Sequence, residues 1–117
     1  MTLKARQEDK KIKIIDASLG MSYTNGIEEL WLNPSDYLMM ASNIKNGLEE
    51  YIEETVELDD INDNYNELKL NLSQIDAELK LIANSSSNNT LIVSSDSFKY
   101  LEKYGFNVIS IEENENL

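Results

Sequence analysis

The feature that most limits how this chain can fold is a repeat of apolar side chains in its central part. They recur at alternating steps of four and three residues, at Ile61, Tyr65, Leu68, Leu72, Ile75, Leu79 and Ile82. This spacing predicts a helix that begins after Asp59 or Asp60 and runs for about 24 residues, or roughly 36 Å. The polar run NSSSNN at residues 84–89 ends it. A seam of this length fits either a coiled coil with another chain or a helix packed against its own domain.

A second amphipathic helix is predicted just before it, over residues 34–55. Its apolar side chains recur every three or four positions, at Tyr37, Met40, Ala41, Ile44, Leu48, Tyr51 and Ile52. Pro34 suits the first position of a helix, and Asn33 or Ser35 can cap its free amides. Gly47 inside the helix should weaken it by about 1 kcal/mol relative to alanine.

Strands are predicted near both ends of the chain. Residues 11–16, KIKIID, alternate charged and aliphatic side chains and indicate a short strand, followed by a glycine-containing loop over residues 17–26. The sequence TLIV at residues 90–93 predicts a buried strand, and residues 106–111 predict another.

A short helix is predicted between the last two strands, over residues 98–104, and Gly105 stands where a helix ends. Strand, helix and strand make a βαβ unit, for which parallel pairing is the default. The chain is therefore expected to have an α/β fold. Its single tryptophan, Trp31, is expected to anchor a core.

Composition excludes several classes of function. The 117 residues include no histidine, the commonest general base and metal ligand, and no cysteine. There are 22 acidic and 10 basic residues, and the net charge of −12 argues against a nucleic-acid partner. Half of the bases lie within residues 1–13, which we interpret as a solvated terminus. This start lacks the apolar core of a signal peptide, so an exported parent protein is expected to be longer.

Carboxylates are the remaining candidates for catalysis. Adjacent pairs such as Glu28 and Glu29 point in different directions on a helix and are expected to be solvated. We therefore predict that the chain is not an enzyme, with carboxylate catalysis as a minor alternative. The sequence SSDS at residues 94–97 follows a predicted strand, the place where ligands bind in open parallel sheets. Ser95 or Asp96 can also cap the next helix, and the two roles are compatible.

Two stretches of the chain resemble one known family. Residues 28–48, EELWLNPSDYLMMASNIKNGL, are similar to the segment Asp-Pro-His-x-Trp-Leu-Asp-Pro and the following helix of bacterial metal-binding solute receptors. Residues 90–111, TLIVSSDSFKYLEKYGFNVISI, are similar to their stretch Val-Ser-His-Asp-Ala-Phe-x-Tyr-Leu, which continues with Tyr-Gly and a strand. The order of the stretches and the long helix between them agree as well. These receptors are the zinc- and manganese-binding lipoproteins of ABC importers, some of them described as adhesins.

The resemblance implies a partial two-lobed receptor, in which a long helix joins two α/β lobes and metal binds in the cleft between them. A complete member is much longer than this chain, so the chain resembles a middle section. The implied layout is a basic tail (1–10), the end of the first lobe with strand, loop and helix (11–56), a linking helix (57–86), the start of the second lobe with the βαβ unit (87–111) and an acidic tail (112–117).

The metal ligands of the family are altered in this chain. The histidine of the first stretch falls on Glu29, and the histidine or glutamate of the second falls on Ser95. Asp96 matches the acid beside that ligand. Glu29 can bind a hard cation through oxygen, but a neutral serine is a poor ligand. Zinc or manganese would thus be carried by a full-length relative, while the site within this chain is incomplete.

The predicted function is that of a fragment or diverged member of a metal-ion receptor for an ABC transporter. By resemblance, its partner is an ABC permease and its parent protein is extracellular and tethered to the membrane; without the resemblance a cytoplasmic location would be expected. The alternative is a protein–protein interaction module that binds no metal, including a homodimer formed through the helix of residues 61–82.

Overall fold

A helical hairpin and a small parallel sheet make up the part of the chain that the computed structural model describes, residues 12–112. The elements in chain order are α1 (Glu29–Leu32), α2 (Pro34–Tyr51), α3 (Thr55–Ser85), β1 (Thr90–Val93), a 3₁₀ helix (Asp96–Tyr104) and β2 (Asn107–Ser110). We call α2 and α3 the hairpin, and β1, the 3₁₀ helix and β2 the sheet unit. The basic tail predicted for residues 1–10 lies outside the described residues, and so does the acidic tail predicted for residues 112–117 except for Glu112.

The start of α2 confirms the predicted cap. The side chain of Asn33 accepts a hydrogen bond from the backbone N–H of Ser35 at 3.2 Å, and Pro34 occupies the first turn, where its missing N–H costs nothing. The helix ends at Tyr51, four residues earlier than predicted, because Ile52 takes an extended conformation with φ −99° and ψ 126°.

Helix α3 is longer than predicted and starts earlier. It begins at Thr55 and has 31 residues, so Asp59 and Asp60 lie inside it and cap nothing. Glu54 precedes the first turn without a side-chain cap, and Glu57 in that turn favours the helix through the macrodipole. Since only residues 52–54 separate the two helices, α3 must turn back on α2 at once, which explains the early start.

Most of the α3 seam is used inside the molecule. Leu68 lines a groove with Ile44, and Leu72 lies across from Leu38, so α2 and α3 run antiparallel. Further along, Leu79 packs against the core of the sheet unit. The alternative of a helix packed against its own domain therefore holds for this part of the seam. Two other side chains of the α3 seam, Ile75 and Ile82, remain exposed.

The sheet unit confirms the predicted βαβ arrangement. β1 pairs with β2 in parallel, with Thr90 opposite Asn107 and Val93 opposite Ser110. The helix between them is a 3₁₀ helix, and Gly105 ends it in the left-handed conformation at φ +109°. One core cluster forms here from Ala83, Tyr104, Phe106 and Val108.

Three further expectations from the sequence are wrong. The strand of residues 90–93 is not buried, since its side chains alternate between exposed and half-buried and Ile92 is 71% exposed. Residues 12–16 form no strand: a strand needs a hydrogen-bonded neighbour, and Ile14 and Ile15 lie instead against α2 beside Gly47. Trp31 does not anchor a core, since it is 48% exposed. The neighbouring side chain Leu30 is buried instead. Because α1 has only four residues, one face of it packs against the protein, and Trp31 lies on the other face.

The loop predicted over residues 17–26 is confirmed. Asp16 starts it with an Asx turn, accepting hydrogen bonds from the backbone N–H and the hydroxyl of Ser18. Asn43 of α2 holds it in place by donating to the carbonyl oxygens of Ala17 and Leu19 at 2.8 and 3.0 Å. Across residues 12–112 no helix has the length and apolarity needed to cross a membrane.

Candidate functional site

The two stretches that resemble the receptor family meet at one junction, between α1 and the 3₁₀ helix. Ser97 Oγ donates to Glu28 Oε2 at 3.2 Å. At the other end, Lys103 Nζ donates to Asn33 Oδ1 at 2.7 Å and to Ser35 Oγ at 3.0 Å. The candidate site is therefore this junction.

Glu29, at the position of a family ligand, is buried on α1 with 8% of its surface exposed, so the expectation that this carboxylate is solvated is wrong. Its Oε2 accepts from the backbone N–H of Thr24 at 3.0 Å, and its Oε1 accepts from Asn25 Nδ2 at 3.1 Å. A buried carboxylate needs such partners, because burial removes its hydration. Both oxygens of the best candidate ligand are thus engaged by the loop.

Ser95, at the second ligand position, caps the 3₁₀ helix. Its Oγ accepts from the backbone N–H of Ser97 at 3.2 Å and donates to Ser97 Oγ at the same distance. This is the capping role that the sequence allowed. The hydroxyl also belongs to a short chain that runs from Ser95 through Ser97 to Glu28.

Asp96 lies beside this chain and differs from Glu29 in having an unused oxygen. Its backbone N–H donates to Glu112 Oε2 at 3.0 Å. Its Oδ1 is enclosed by protein and accepts no hydrogen bond from the residues that the structure describes. Such an atom has capacity for one more donor or for a cation.

The charges at the junction influence one another. Burial raises the pKa of the Asp36 carboxyl above its usual value, and the negative charge of Glu29 raises it further. Lys103 acts in the opposite direction on the same group. Asp36 therefore lies within electrostatic reach of Glu29 and of the Lys103 ammonium group.

Sequence reasoning missed three side chains at this junction, Glu28, Ser97 and Lys103. Each lies within a stretch that carries the resemblance, yet none stands at a family ligand position. The pairs they form link residues 68 to 70 positions apart, which no local pattern can reveal. Asn33 had been identified only as a helix cap, and it also receives Lys103.

The donor set of the junction consists of oxygen atoms. Among residues 12–112 no three or more histidine, cysteine, aspartate or glutamate side chains form a group that could hold a metal ion. Zinc in proteins is usually held by histidine nitrogen, cysteine sulfur and carboxylate oxygen in a nearly complete tetrahedral set. The side chains present do not supply that set.

Solved structures share the α/β fold of this chain. A structure titled "Crystal structure of ZnuA" has a TM-score of 0.68 and 21% sequence identity to this chain. A structure of a ZnuA deletion mutant with zinc bound has a TM-score of 0.67 and 20% identity. Each match covers 93% of this chain and 45% of the other, so the chain spans less than half the length of these structures.

The family model described as "ZnuA: Zinc-uptake complex component A periplasmic" matches residues 2–116, and the chain belongs to this family. The predicted family and the predicted α/β fold, as part of a larger receptor fold, are thereby confirmed. The family description supports zinc and the periplasmic side of the membrane at the level of the family. The search among curated proteins found no match.

Proposed function

We propose that this chain is a portion, or a diverged form, of a metal-ion receptor that serves an ABC importer, and that its own metal site is incomplete. Its role would be capture of a cation in a cleft and delivery to a permease, with no chemical step. Zinc is the favoured cargo because the family description names zinc uptake. Manganese remains the second cargo to test.

The observation that supports this proposal best is the meeting of α1 with the 3₁₀ helix. The two stretches are far apart in sequence, and yet Ser97 Oγ lies 3.2 Å from Glu28 Oε2. In the proposed layout, residues 11–56 close the first lobe, residues 57–86 link the lobes, and residues 87–111 open the second. The junction would then lie in the cleft between lobes.

Within this cleft we assign Glu29, Ser95 and Asp96 as the positions that correspond to the metal-binding segment of the family. Glu29 would give carboxylate oxygens if the loop released it, and Asp96 Oδ1 already lacks a partner among the described residues. Ser95 is occupied as a helix cap. Oxygen donors of this kind suit hard cations and bind zinc weakly.

The test is calorimetric titration of zinc, and then manganese, into chelator-treated protein. We expect zinc dissociation constants on the order of 10⁻⁴ to 10⁻³ M, the range of weak oxygen sites. Glu29→Gln and Asp96→Asn should weaken this binding further. Glu102→Gln, on the exposed side of the same 3₁₀ helix, is the matched control and should leave it unchanged.

Two other results would change the conclusion. Micromolar or tighter zinc binding that Glu29→Gln removes would show that the site is complete and would overturn this part of the proposal. Absence of any heat with millimolar metal would move the function to the second candidate below.

The location and partner of the parent protein follow from the family. We propose that it works on the periplasmic side of a membrane and hands metal to an ABC permease. A lipid tether and an adhesive role, which the resemblance also implies, are parts of the same proposal. Separation of the natural host's cells into membrane and soluble fractions would test the tether, since a tethered protein is recovered with the membranes.

The second candidate is an interaction module that self-associates. The observation that favours it is the exposure of apolar side chains, with Ile75 at 47%, Ile82 at 51% and Ile92 at 71%. Exposed apolar patches favour association, whereas the net charge of −12 opposes it. A dimer mass in light scattering at micromolar concentration, lost in Ile75→Asp/Ile82→Asp, would support it. A monomer mass would exclude it.

A further inference from the structure

We propose that hydrogen bonds between the chain's own side chains hold the junction closed, so that closure needs no metal ion. The proposal rests on the proposed receptor function. It concerns two pairs, Glu28 with Ser97 and Asn33 with Lys103, which we call the clamp.

The clamp fixes both ends of both short helices. Glu28 immediately precedes α1 and Asn33 immediately follows it, while Ser97 and Lys103 lie near the two ends of the 3₁₀ helix. Because start is joined to start and end to end, α1 cannot rotate away from the 3₁₀ helix without breaking at least one pair. Two hydrogen bonds, of 3.2 and 2.7 Å, make these connections. Lys103 also donates to Ser35 at the start of α2 at 3.0 Å.

Apart from the clamp, α1 makes few buried apolar contacts with the rest of the molecule. Leu30 is its one buried hydrophobic side chain, and Trp31 is half exposed. The core cluster of Ala83, Tyr104, Phe106 and Val108 lies on the sheet unit and does not include α1. The polar pairs therefore determine how α1 sits on the 3₁₀ helix.

The backbone next to the clamp is shaped to let it form. A Cβ atom on Gly26 would lie 2.9 Å from both Glu28 Oε2 and Ser97 Oγ, closer than side chains tolerate. Gly26 also has φ +127°, a conformation that other residues rarely adopt. The loop thus approaches the Glu28–Ser97 pair as closely as a glycine allows.

The clamp also places a positive charge at one end of the junction, beside Asn33. Lys103 Nζ donates to Asn33 and Ser35, lies 4.9 Å from the ring centroid of Tyr104, and partly offsets the rise in the pKa of Asp36 that burial and Glu29 cause. An ammonium group fixed at the junction repels a second cation. Lys103 therefore supplies positive charge at this end of the junction without a metal ion.

Trp31 provides the measurement. It is the only tryptophan, it lies on α1 between Glu28 and Asn33, and its half-exposed ring senses any release of α1. Quenching of its fluorescence by acrylamide is measured with chelator, without additions and with millimolar zinc. We expect the three wild-type curves to coincide.

Clamp variants should raise the quenching of Trp31. Loss of one net hydrogen bond shifts an open-to-closed ratio by roughly fivefold, and Ser97→Ala/Lys103→Met should exceed either single variant. Lys69→Met, on the exposed side of α3, is the control and should match the wild type. Far-UV circular dichroism checks that each variant is folded, and if the double variant unfolds, Ser97→Ala alone carries the test.

Chelator that raises wild-type quenching would overturn the proposal, since closure would then depend on metal. So would folded clamp variants that quench like the wild type. These results are separable from the calorimetry. If zinc binds tightly and does not change the quenching of wild-type Trp31, the site is complete and the proposed function fails in that part, while the clamp proposal stands. If zinc binds weakly and the clamp variants quench like the wild type, the clamp proposal fails and the incomplete site stands.

Discussion

The hairpin and the sheet unit are built on different principles. Helices α2 and α3 have 18 and 31 residues, yet only Pro34 and Ala83 are buried in them, and Ala83 belongs to the core of the sheet unit. The much shorter sheet unit buries Tyr104 and Val108 together with Phe106 just before β2. Regular local structure and a hydrophobic core are therefore found in different parts of the same molecule.

The comparison teaches where stability resides. A helix forms from local hydrogen bonds, spacing and caps, but in proteins most of its stability comes from packing. The hairpin retains an open apolar groove of about 310 Å³ between Tyr37, Met40, Ala41, Ile44 and Leu68. We expect the sheet unit and the end of α3 to resist unfolding, and the hairpin to open first.

The largest predicted effect tests this directly. Phe106 is 8% exposed and lies in the core cluster, so Phe106→Ala should lower the free energy of unfolding by about 3–5 kcal/mol. Ile44, 42% exposed beside the groove, is the counterpart in the hairpin, and Ile44→Ala should cost less than about 1 kcal/mol. Urea denaturation followed by circular dichroism measures both.

Equal losses at these two positions would contradict the comparison, because they would place comparable packing in the hairpin. If Phe106→Ala leaves no folded protein, Phe106→Leu gives the same contrast with a smaller cost. Ile92→Ala, on the 71% exposed outer face of β1, is the control for side-chain removal without cavity formation.

The second prediction concerns a short, partly buried hydrogen bond between the two regions. Tyr104 Oη donates to Asp76 Oδ1 at 2.6 Å and so ties the 3₁₀ helix to α3. Burial, followed by this hydrogen bond and the charge of Asp76, raises the pKa of Tyr104 well above its ordinary value of 10.0. Tyr104→Phe should lower stability at neutral pH by about 1 kcal/mol.

The sign of the pH dependence follows from the raised pKa. Above about pH 10 the unfolded chain loses the Tyr104 proton while the folded chain keeps it, so folding stability falls as pH rises. The contribution is fully present below that pH. Tyr104→Phe should therefore show a shallower loss of stability between about pH 9 and pH 11 than the wild type.

Denaturation midpoints across this range give the slopes, and Tyr23→Phe, at a 53% exposed position, is the matched control. Burial also raises the pKa of Tyr100, so part of the alkaline loss should persist in Tyr104→Phe. Identical slopes for wild type and Tyr104→Phe would show that the Asp76 link does not form in solution.

The same division explains what could be predicted from the sequence. The cap at Asn33, the end at Gly105 and the parallel βαβ unit were predictable because each depends on neighbouring residues. The prediction of a strand at residues 11–16 was wrong, because a strand requires a partner strand and a local pattern does not show whether one is present. The start of α3 was missed because the tight turn at residues 52–54, rather than Asp59 or Asp60, decides it.

The candidate site was predictable only in part. The resemblance identified residues 28–48 and 90–111, and the family that it indicated is confirmed. It could not indicate that the loop engages Glu29 or that Lys103 reaches Asn33, because both depend on how separate elements approach each other. Trp31 illustrates the same point. An apolar segment predicts that one face of the helix is buried, but it does not indicate which of its side chains lie on that face.

The smallest predicted effect lies in the hairpin, at Gly47. From sequence alone, this glycine weakens α2 by about 1 kcal/mol relative to alanine. In the structure a Cβ on Gly47 would meet Ile15 Cγ2 at 2.6 Å and Cγ1 at 2.8 Å. The gain in helix propensity and the clash with Ile15 oppose each other, so Gly47→Ala should change stability by less than about 1 kcal/mol.

A double-mutant cycle separates the two terms. In an Ile15→Ala background the clash is gone, and Gly47→Ala should stabilise the protein by roughly 0.5–1 kcal/mol, a positive coupling that neighbouring residues commonly show. Met39→Ala, at a 48% exposed position of α2 away from the groove that Ile15 lines, should show no coupling to Ile15. If Gly47→Ala stabilises equally in both backgrounds, Ile15 does not rest on α2, and the segment before the loop is not part of the packed hairpin. A coupling of the expected size would instead show that this segment packs on α2 in place of pairing as a strand. The hairpin would then obtain from this segment apolar contacts that its own two helices do not supply.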